Sequence, residues 1–355
     1  RVTAPLDSQA RVIHLTFFPL RPGIVIELEE QFDRFTPFEL GAGVWTQLFL
    51  QGPAPRLRTR VTFAVARPFA ASVKVHHCDW QPTETQTGDY HVLSWELQDL
   101  PAVELDEWSP PPRDFVPWID LTTLPSWQPV ARYFVNELIP KGPPPAALIQ
   151  QTSDVTQHSR TDREKVAEVY KYATRDVRYG RHPQEIDLET PRHASQMLED
   201  LRGDCKDKSA LMISMLRQLG IHADIALIQS RVSGIEPSLP APCVDHALVR
   251  VEFDDCRLWL DPAGGPYTFG DVPYNDQGTT ALILDGSDPA TSCRIPEAVP
   301  AEHRLNRVCR GQLGEDGTYR CHATVTANGE LAVVLRLQYL RRGLEQRARM
   351  LAQEV

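Results

Sequence analysis

The hydrophobic period of this chain changes at one proline-rich stretch, DEWSPPPRDFVPW (residues 106–118), and the two sides of it must fold differently. Ahead of it, apolar side chains alternate. Leu57, Val61, Phe63 and Val65 do so in RLRTRVTFAVARPF, and His91, Leu93, Trp95 and Leu97 in DYHVLSWELQDL. Alternation puts such residues on one face of a strand. The turn-rich segments QGPAPR and QPTETQTGD separate the runs, so residues 1 to about 105 read as an antiparallel β-sandwich.

Beyond the prolines the period lengthens to that of a helix. Trp127, Val130, Phe134 and Leu138 are helically spaced in LPSWQPVARYFVNELI, and TDREKVAEVYKYATRDVRY opens with a capping box from Thr161 to Glu164. TPRHASQMLEDLRG offers Thr190 as a cap and Pro191 at the first helical position. HADIALIQS then reads as a strand, followed by a Pro-, Gly- and Ser-rich loop (231–244) that borders or simply connects. HALVRVEF and CRLWLDPAGG read as a hairpin about Asp254-Asp255. A late segment, GTYRCHATVTANGELAVVLRLQYL, suggests a second hairpin about Asn328-Gly329, with a basic helical tail after it.

The segment LRGDCKDKSALMISMLRQLG (201–220) places a cysteine at a helix start. Asp204 is an N-cap, Leu211, Met212, Met215, Leu216 and Leu219 form an apolar stripe, and Gly220 stops the helix. A thiol in the first turn meets unpaired N–H groups and the positive end of the helix dipole, both of which favour thiolate. A small buried cysteine that happens to open a helix is the bland alternative. The hairpin supplies the missing partners. With a two-residue turn, Phe253 faces Cys256 and Leu248 faces Asp261, which makes His246 and Asp261 diagonal neighbours on one face. Thiol, imidazole and carboxylate then fit one mechanism: the ring takes the thiol proton and returns it to the leaving group, and the carboxylate holds the ring's tautomer.

Three segments, GDCKDKSALMISMLRQLGI, DHALVRV and WLDPAGG, resemble the signature segments of the transglutaminase-like superfamily. The likeness is to its bacterial branch, which carries a β-rich domain of unknown function ahead of the catalytic core. It is best over residues 120 to 290, and residues 1 to 105 resemble the second half of that β-rich domain. The resemblance implies an α+β fold: a papain-like transglutaminase core (116–292) flanked by an N-terminal β-sandwich (1–115) and a C-terminal β-rich segment with a terminal helix (293–355), both flanks incomplete. It implies Cys205 as nucleophile, His246 as base and Asp261 as orienting acid, with Tyr179 in DVRYG and the Cys205 N–H as candidate oxyanion donors. The expected chemistry is acyl transfer, or amide or peptide hydrolysis, through a Cys205 thioester, on a protein or peptide amide substrate. It also favours an extracytoplasmic location.

Animal relatives need calcium, but no DxDxDG-type loop is present, and neither a cofactor nor a metal is expected. A formal net charge of −10, with no basic run interleaved with aromatics, argues against nucleic acid. No apolar stretch approaches the roughly 18 residues of a membrane span. Three competitors stay open: a zinc site built from Cys243, His246, Cys256 and Cys205; a catalytically silent binding module of the same fold; and an arylamine N-acetyltransferase, whose arginine-glycine-glycine segment is missing here. Of the seven cysteines, Cys293, Cys309 and Cys321 cluster late and are candidates for a disulfide.

Overall fold

The computed structural model describes residues 43–106, 109–110, 112–180, 192, 194–230, 239–254, 256–340 and 342–353, with Val2, Thr3, Val12, Ile13, Arg21 and Gly23 ahead of them. The expected cap at Thr190 and Pro191, most of the 231–244 loop and half of the Asp254-Asp255 turn lie outside these residues. The chain divides into Arg1–Thr36 and Pro37–Val355. In the first unit β1 (Val2–Thr3) pairs antiparallel with β2 (Val12–Ile13).

The second unit opens with two three-stranded antiparallel sheets. One is built from β3 (Trp45–Phe49), β5 (Ser72–His76) and β8 (Trp118–Thr122), and the other from β4 (Arg56–Ala66), β6 (Thr83–Thr87) and β7 (Tyr90–Leu100). Alternation decides how they meet. Val61 of β4 and Leu93 and Trp95 of β7 pack against Ile119 and Leu121 of β8, while Phe63 sets its ring edge against Trp95 at 5.9 Å. The buried indole N–H of Trp95 donates to the Trp80 carbonyl, which satisfies the one polar atom of that ring. β8, just past the expected boundary at 115/116, is the central strand of its sheet, paired with β3 on one side and β5 on the other.

The core domain sets helices against a five-stranded antiparallel sheet. The helices are α1 (Trp127–Leu138), α2 (Ala146–Thr156), α3 (Asp162–Lys171), α4 (Ala194–Asp200) and α5 (Cys205–Gln218). α3 begins with the expected capping box, Thr161 and Glu164 each bonding the other's backbone N–H. α2 lacks a side-chain cap and a clear stripe, so nothing in its sequence announces it. The sheet runs β13 (Arg257–Leu260), β12 (His246–Glu252), β11 (Ala223–Ile228), β14 (Thr280–Ile283), β15 (Ser292–Arg294). Both faces of β11 are buried. Ile225 and Leu227 join the helix-side core with Val249, Leu260 and the α5 residues Met212 and Met215, and Ala226 and Ile228 join a second cluster with Leu248, Trp259 and Ile283. The expected boundary at 292/293 therefore cuts through β15, whose Cys293 pairs with Ala281.

At the C-terminal end β16 (Leu305–Leu313) pairs with β17 (Tyr319–Ala327), and α6 (Gly329–Tyr339) and α7 (Leu344–Gln353) follow. This corrects the expected hairpin at Asn328-Gly329. The turn falls earlier, where Gly317 takes φ +80° and Gly314 N–H donates to Thr318. The β-branched run after Gly329 winds into a helix because tertiary contacts capture it. Ala332 and Val333 are buried, and Glu330 receives the Tyr267 hydroxyl at 2.7 Å and donates its N–H to His303. All seven cysteines are free thiols, so the late cluster forms no disulfide.

Candidate active site

Cys205 is the first residue of α5, and the turn ahead of it is fixed from both sides. Asp204 is the N-cap: its carboxylate accepts the N–H groups of Lys206 and Asp207, and Asp207 in return accepts that of Asp204 at 2.9 Å. Aspartate thus fills the position a glutamate usually holds in a capping box. The caps take the N–H of Lys206 and Asp207 and not that of Cys205. The other oxygen of Asp207 accepts from Arg192 N at 2.8 Å, and Lys206 pairs with Asp204. Immediately before the cap, β10 (Arg202–Gly203) lies parallel to β9 (Arg178–Tyr179), with Gly203 opposite Tyr179 and Gly180 N–H donating to Gly203 at 3.1 Å. This places Tyr179, the candidate oxyanion residue, beside the turn that carries Cys205, with the residue 61 % exposed.

The hairpin register follows the alternation. Val249 pairs with Leu260, Arg250 with Trp259, Val251 with Leu258 and Glu252 with Arg257, and Phe253 N–H donates to the Cys256 carbonyl. His246 opens β12 and Asp261 follows β13, so both sit at the sheet margin. There His246 Nε2 is 3.1 Å from Asp261 Oδ1, and the Cys205 side chain is near enough to the ring to favour its charged form. Ser209, one turn into α5, donates to the Ala247 carbonyl at 3.1 Å and ties helix to strand next to both groups. Asp261 is itself held, accepting Ala263 N–H at 2.8 Å in the DPAGG turn.

The electrostatics favour a charged ring. Burial opposes the imidazolium, but the bond to Asp261, the nearby Cys205 side chain and the negative charges of Asp261 and Asp276 outweigh it and raise His246 to about 11. Asp276 was not among the residues singled out from sequence. It sits 3.9 Å from His246 Nε2, 3 % exposed, and burial pushes its carboxyl up to about 7 while the imidazolium charge pulls it down. Lys208, by sequence one of the charges flanking the thiol and expected as a flexible surface side chain, is a second neighbour of the site and is buried instead. Its side chain is buried, its ammonium lies 6.0 Å from the Tyr179 ring centroid, and burial lowers it to about 8 against the pull of Asp261. The signal for Lys208 was its spacing three residues after Cys205, on the same side of the helix.

The zinc arrangement does not assemble. Among the described residues the group of possible metal ligands is His246, Asp261 and Asp276, with no cysteine in it. Cys256 lies at the far end of the hairpin from His246, facing Arg163 of α3.

Residues 149–260 match the family model of the transglutaminase-like superfamily, and residues 2–104 match DUF3857, a domain of unknown function. No curated protein matches the chain. Among solved structures, one from Parabacteroides distasonis described as a candidate protease is similar, with 16 % identity and a TM-score of 0.56. The match covers 72 % of this chain and 48 % of that one, so the chain spans about half its length. The periplasmic domain of TgpA from Pseudomonas aeruginosa aligns at 14 % identity over 65 % of this chain and 84 % of that one, with a TM-score of 0.27. Among the described residues no helix is long and apolar enough to cross a membrane. The chain thus carries a segment that matches the transglutaminase-like superfamily (residues 149–260) behind one that matches DUF3857 (residues 2–104).

Proposed function

We propose that the chain catalyses thiol-dependent acyl transfer from a protein or peptide amide, with Cys205 as nucleophile, His246 as base and acid, and Asp261 as the group that orients the ring. The observation carrying this reading is a single imidazole 3.1 Å from Asp261 whose charged form the nearby Cys205 side chain also favours. Because Nε2 faces the carboxylates, Nδ1 is the nitrogen left to take the thiol proton. The thiolate attacks the amide carbonyl, and the tetrahedral oxyanion is met by the Cys205 N–H and, from β9, by Tyr179. The C–N bond then breaks as the imidazolium protonates the departing amine, leaving a thioester. Water ends the cycle as hydrolysis and an amine ends it as transfer, both through the same acyl-enzyme.

The test is intact-mass trapping with a panel of glutamine-peptide and peptide-amide electrophiles. A single adduct mapped to Cys205, lost in Cys205→Ala and strongly slowed in His246→Ala, supports the reading. A Cys205 that reacts no faster than the half-exposed Cys243 would sink it and leave a binding module of the same fold.

A further inference from the structure

Asp276 occupies the turn between Pro273 and Thr279, just ahead of β14, and the backbone of that turn is fully engaged. Its N–H donates to Pro273, and its carbonyl accepts from the N–H and hydroxyl of Thr279. The side chain is not. Oδ2 is buried, has no hydrogen-bond partner among the described residues, and lies 3.9 Å from the same Nε2 that Asp261 approaches at 3.1 Å. A buried carboxylate oxygen without a donor is costly and persists where its charge or its proton is used. The charged and titratable groups around it are His246 and Asp245 from the start of β12, Asp261 from the end of β13, and Tyr267 from the following loop. His246 is the only cation of that set. Two acids therefore converge on one ring nitrogen, and the nearer already accepts a backbone N–H.

We propose that Asp276 is a second positioning residue for the catalytic ring: it shares the Nε2 proton with Asp261, so that either carboxylate alone keeps Nδ1 turned to Cys205. As a carboxylate Asp276 accepts from Nε2–H; as an acid it donates to Asp261 and leaves that residue to hold the ring. Its carboxyl, raised to about 7, makes both forms available near neutrality. The arrangement deepens the thiol reaction and rests on that reading for the purpose of the ring, but the position of the proton is measurable without any turnover.

The experiment follows the imidazole nitrogens of His246 by 15N NMR in the Cys205→Ala chain and in the same chain carrying Asp261→Asn, Asp276→Asn or both. Each single change should lower the His246 midpoint by about 1–3 pH units and leave Nε2 protonated. Only the double change should release the Nε2 proton and lower the midpoint further. In parallel, with Cys205 intact, the iodoacetamide pH profile should fall modestly in each single variant and by clearly more than the product of those losses in the double variant. An unchanged midpoint in Asp276→Asn, or loss of the Nε2 proton in Asp261→Asn alone, would overturn the proposal. So would one equivalent of zinc retained by the parent and lost with Asp276→Asn, which would make the three residues a metal site. Should Asp276→Asn not fold, the 13C carboxyl shift of Asp276 in the unsubstituted chain still decides. It must titrate well above the ordinary aspartate range and respond to His246, and a midpoint near 4 with no response refutes the sharing. A parent thiol that is inert while the nitrogen shifts behave as stated would refute the acyl-transfer reading and keep this one.

Discussion

Replacing Gly203 by alanine pushes a methyl group into the first turn of α5, the helix that Cys205 opens. An ideal Cβ at this position lies 2.7 Å from Met197 Cε, 2.8 Å from Asp207 Cβ and 3.4 Å from Asp207 Oδ2. Met197 is 1 % exposed and has little space in which to swing, and Asp207 Cβ moves only with its backbone. Ordinary contact begins at 3.4 Å, so β10 and the start of α5 must separate by about 0.6 Å. Asp207 is the residue whose carboxylate holds Asp204 N–H and Arg192 N–H, so the shift falls on the capping box itself. Overpacking of this kind costs about 1–3 kcal/mol, and a weakened cap adds about 1 kcal/mol. A displacement of about half an ångström at Cys205 should slow its reaction on the order of 10-fold, given that about 1 Å costs 10²-fold. Urea unfolding and the iodoacetamide rate of Cys205 read the two consequences separately. A Gly203→Ala chain with an unchanged urea midpoint and an alkylation rate within about twofold of the parent would refute the argument that this close approach sets the position of Cys205.

Other substitutions bear on the charges of the site. Cys205→Ala should abolish adduct formation and shift stability by no more than about 0.5 kcal/mol, since alanine suits the first helical position; urea melts check the second part. Asp276 has a folded midpoint of about 7 against an ordinary 3.8, so the stability linked to its proton is complete below about 3.8 and is lost as pH rises through 7. Asp276→Asn should accordingly gain on the parent between pH 4 and pH 8, by on the order of 2–4 kcal/mol at most, read from urea midpoints across that range. Lys208 is shifted the other way, to about 8, so its buried charge penalises the fold below pH 8 and the penalty lifts as pH rises toward 10.5. Lys208→Met should be more stable than the parent by about 1–3 kcal/mol at pH 6 and by less at pH 10, measured by thermal melts.

The hairpin was legible because two constraints fix it together. Strict alternation in HALVRVEF sets the face and a two-residue loop sets the register, so the pairing of Val249 with Leu260 follows from spacing alone. The α5 start was legible for a similar reason, since its cap, its stripe and its terminal glycine are all local. Asp276 was not legible. It sits in a turn with no periodicity, and its place beside His246 is set by the return of the chain from β13 across the sheet to β14, which no local pattern encodes. The segment after Gly329 failed differently. Its valines and leucines suit either strand or helix, and contacts with Tyr267 and His303 decided for helix. β8 was hidden by the prolines before it, which mark a break in composition but not a break in the sheet.

The bond from Ser209 to the Ala247 carbonyl has a mechanical consequence. Each end of this rivet is a few residues from a member of the candidate site, four from Cys205 and one from His246. Rocking of the helix over the sheet therefore carries sulfur and imidazole along together and leaves their separation nearly constant. Breathing motions can then spread the surrounding loops without uncoupling Cys205 from His246.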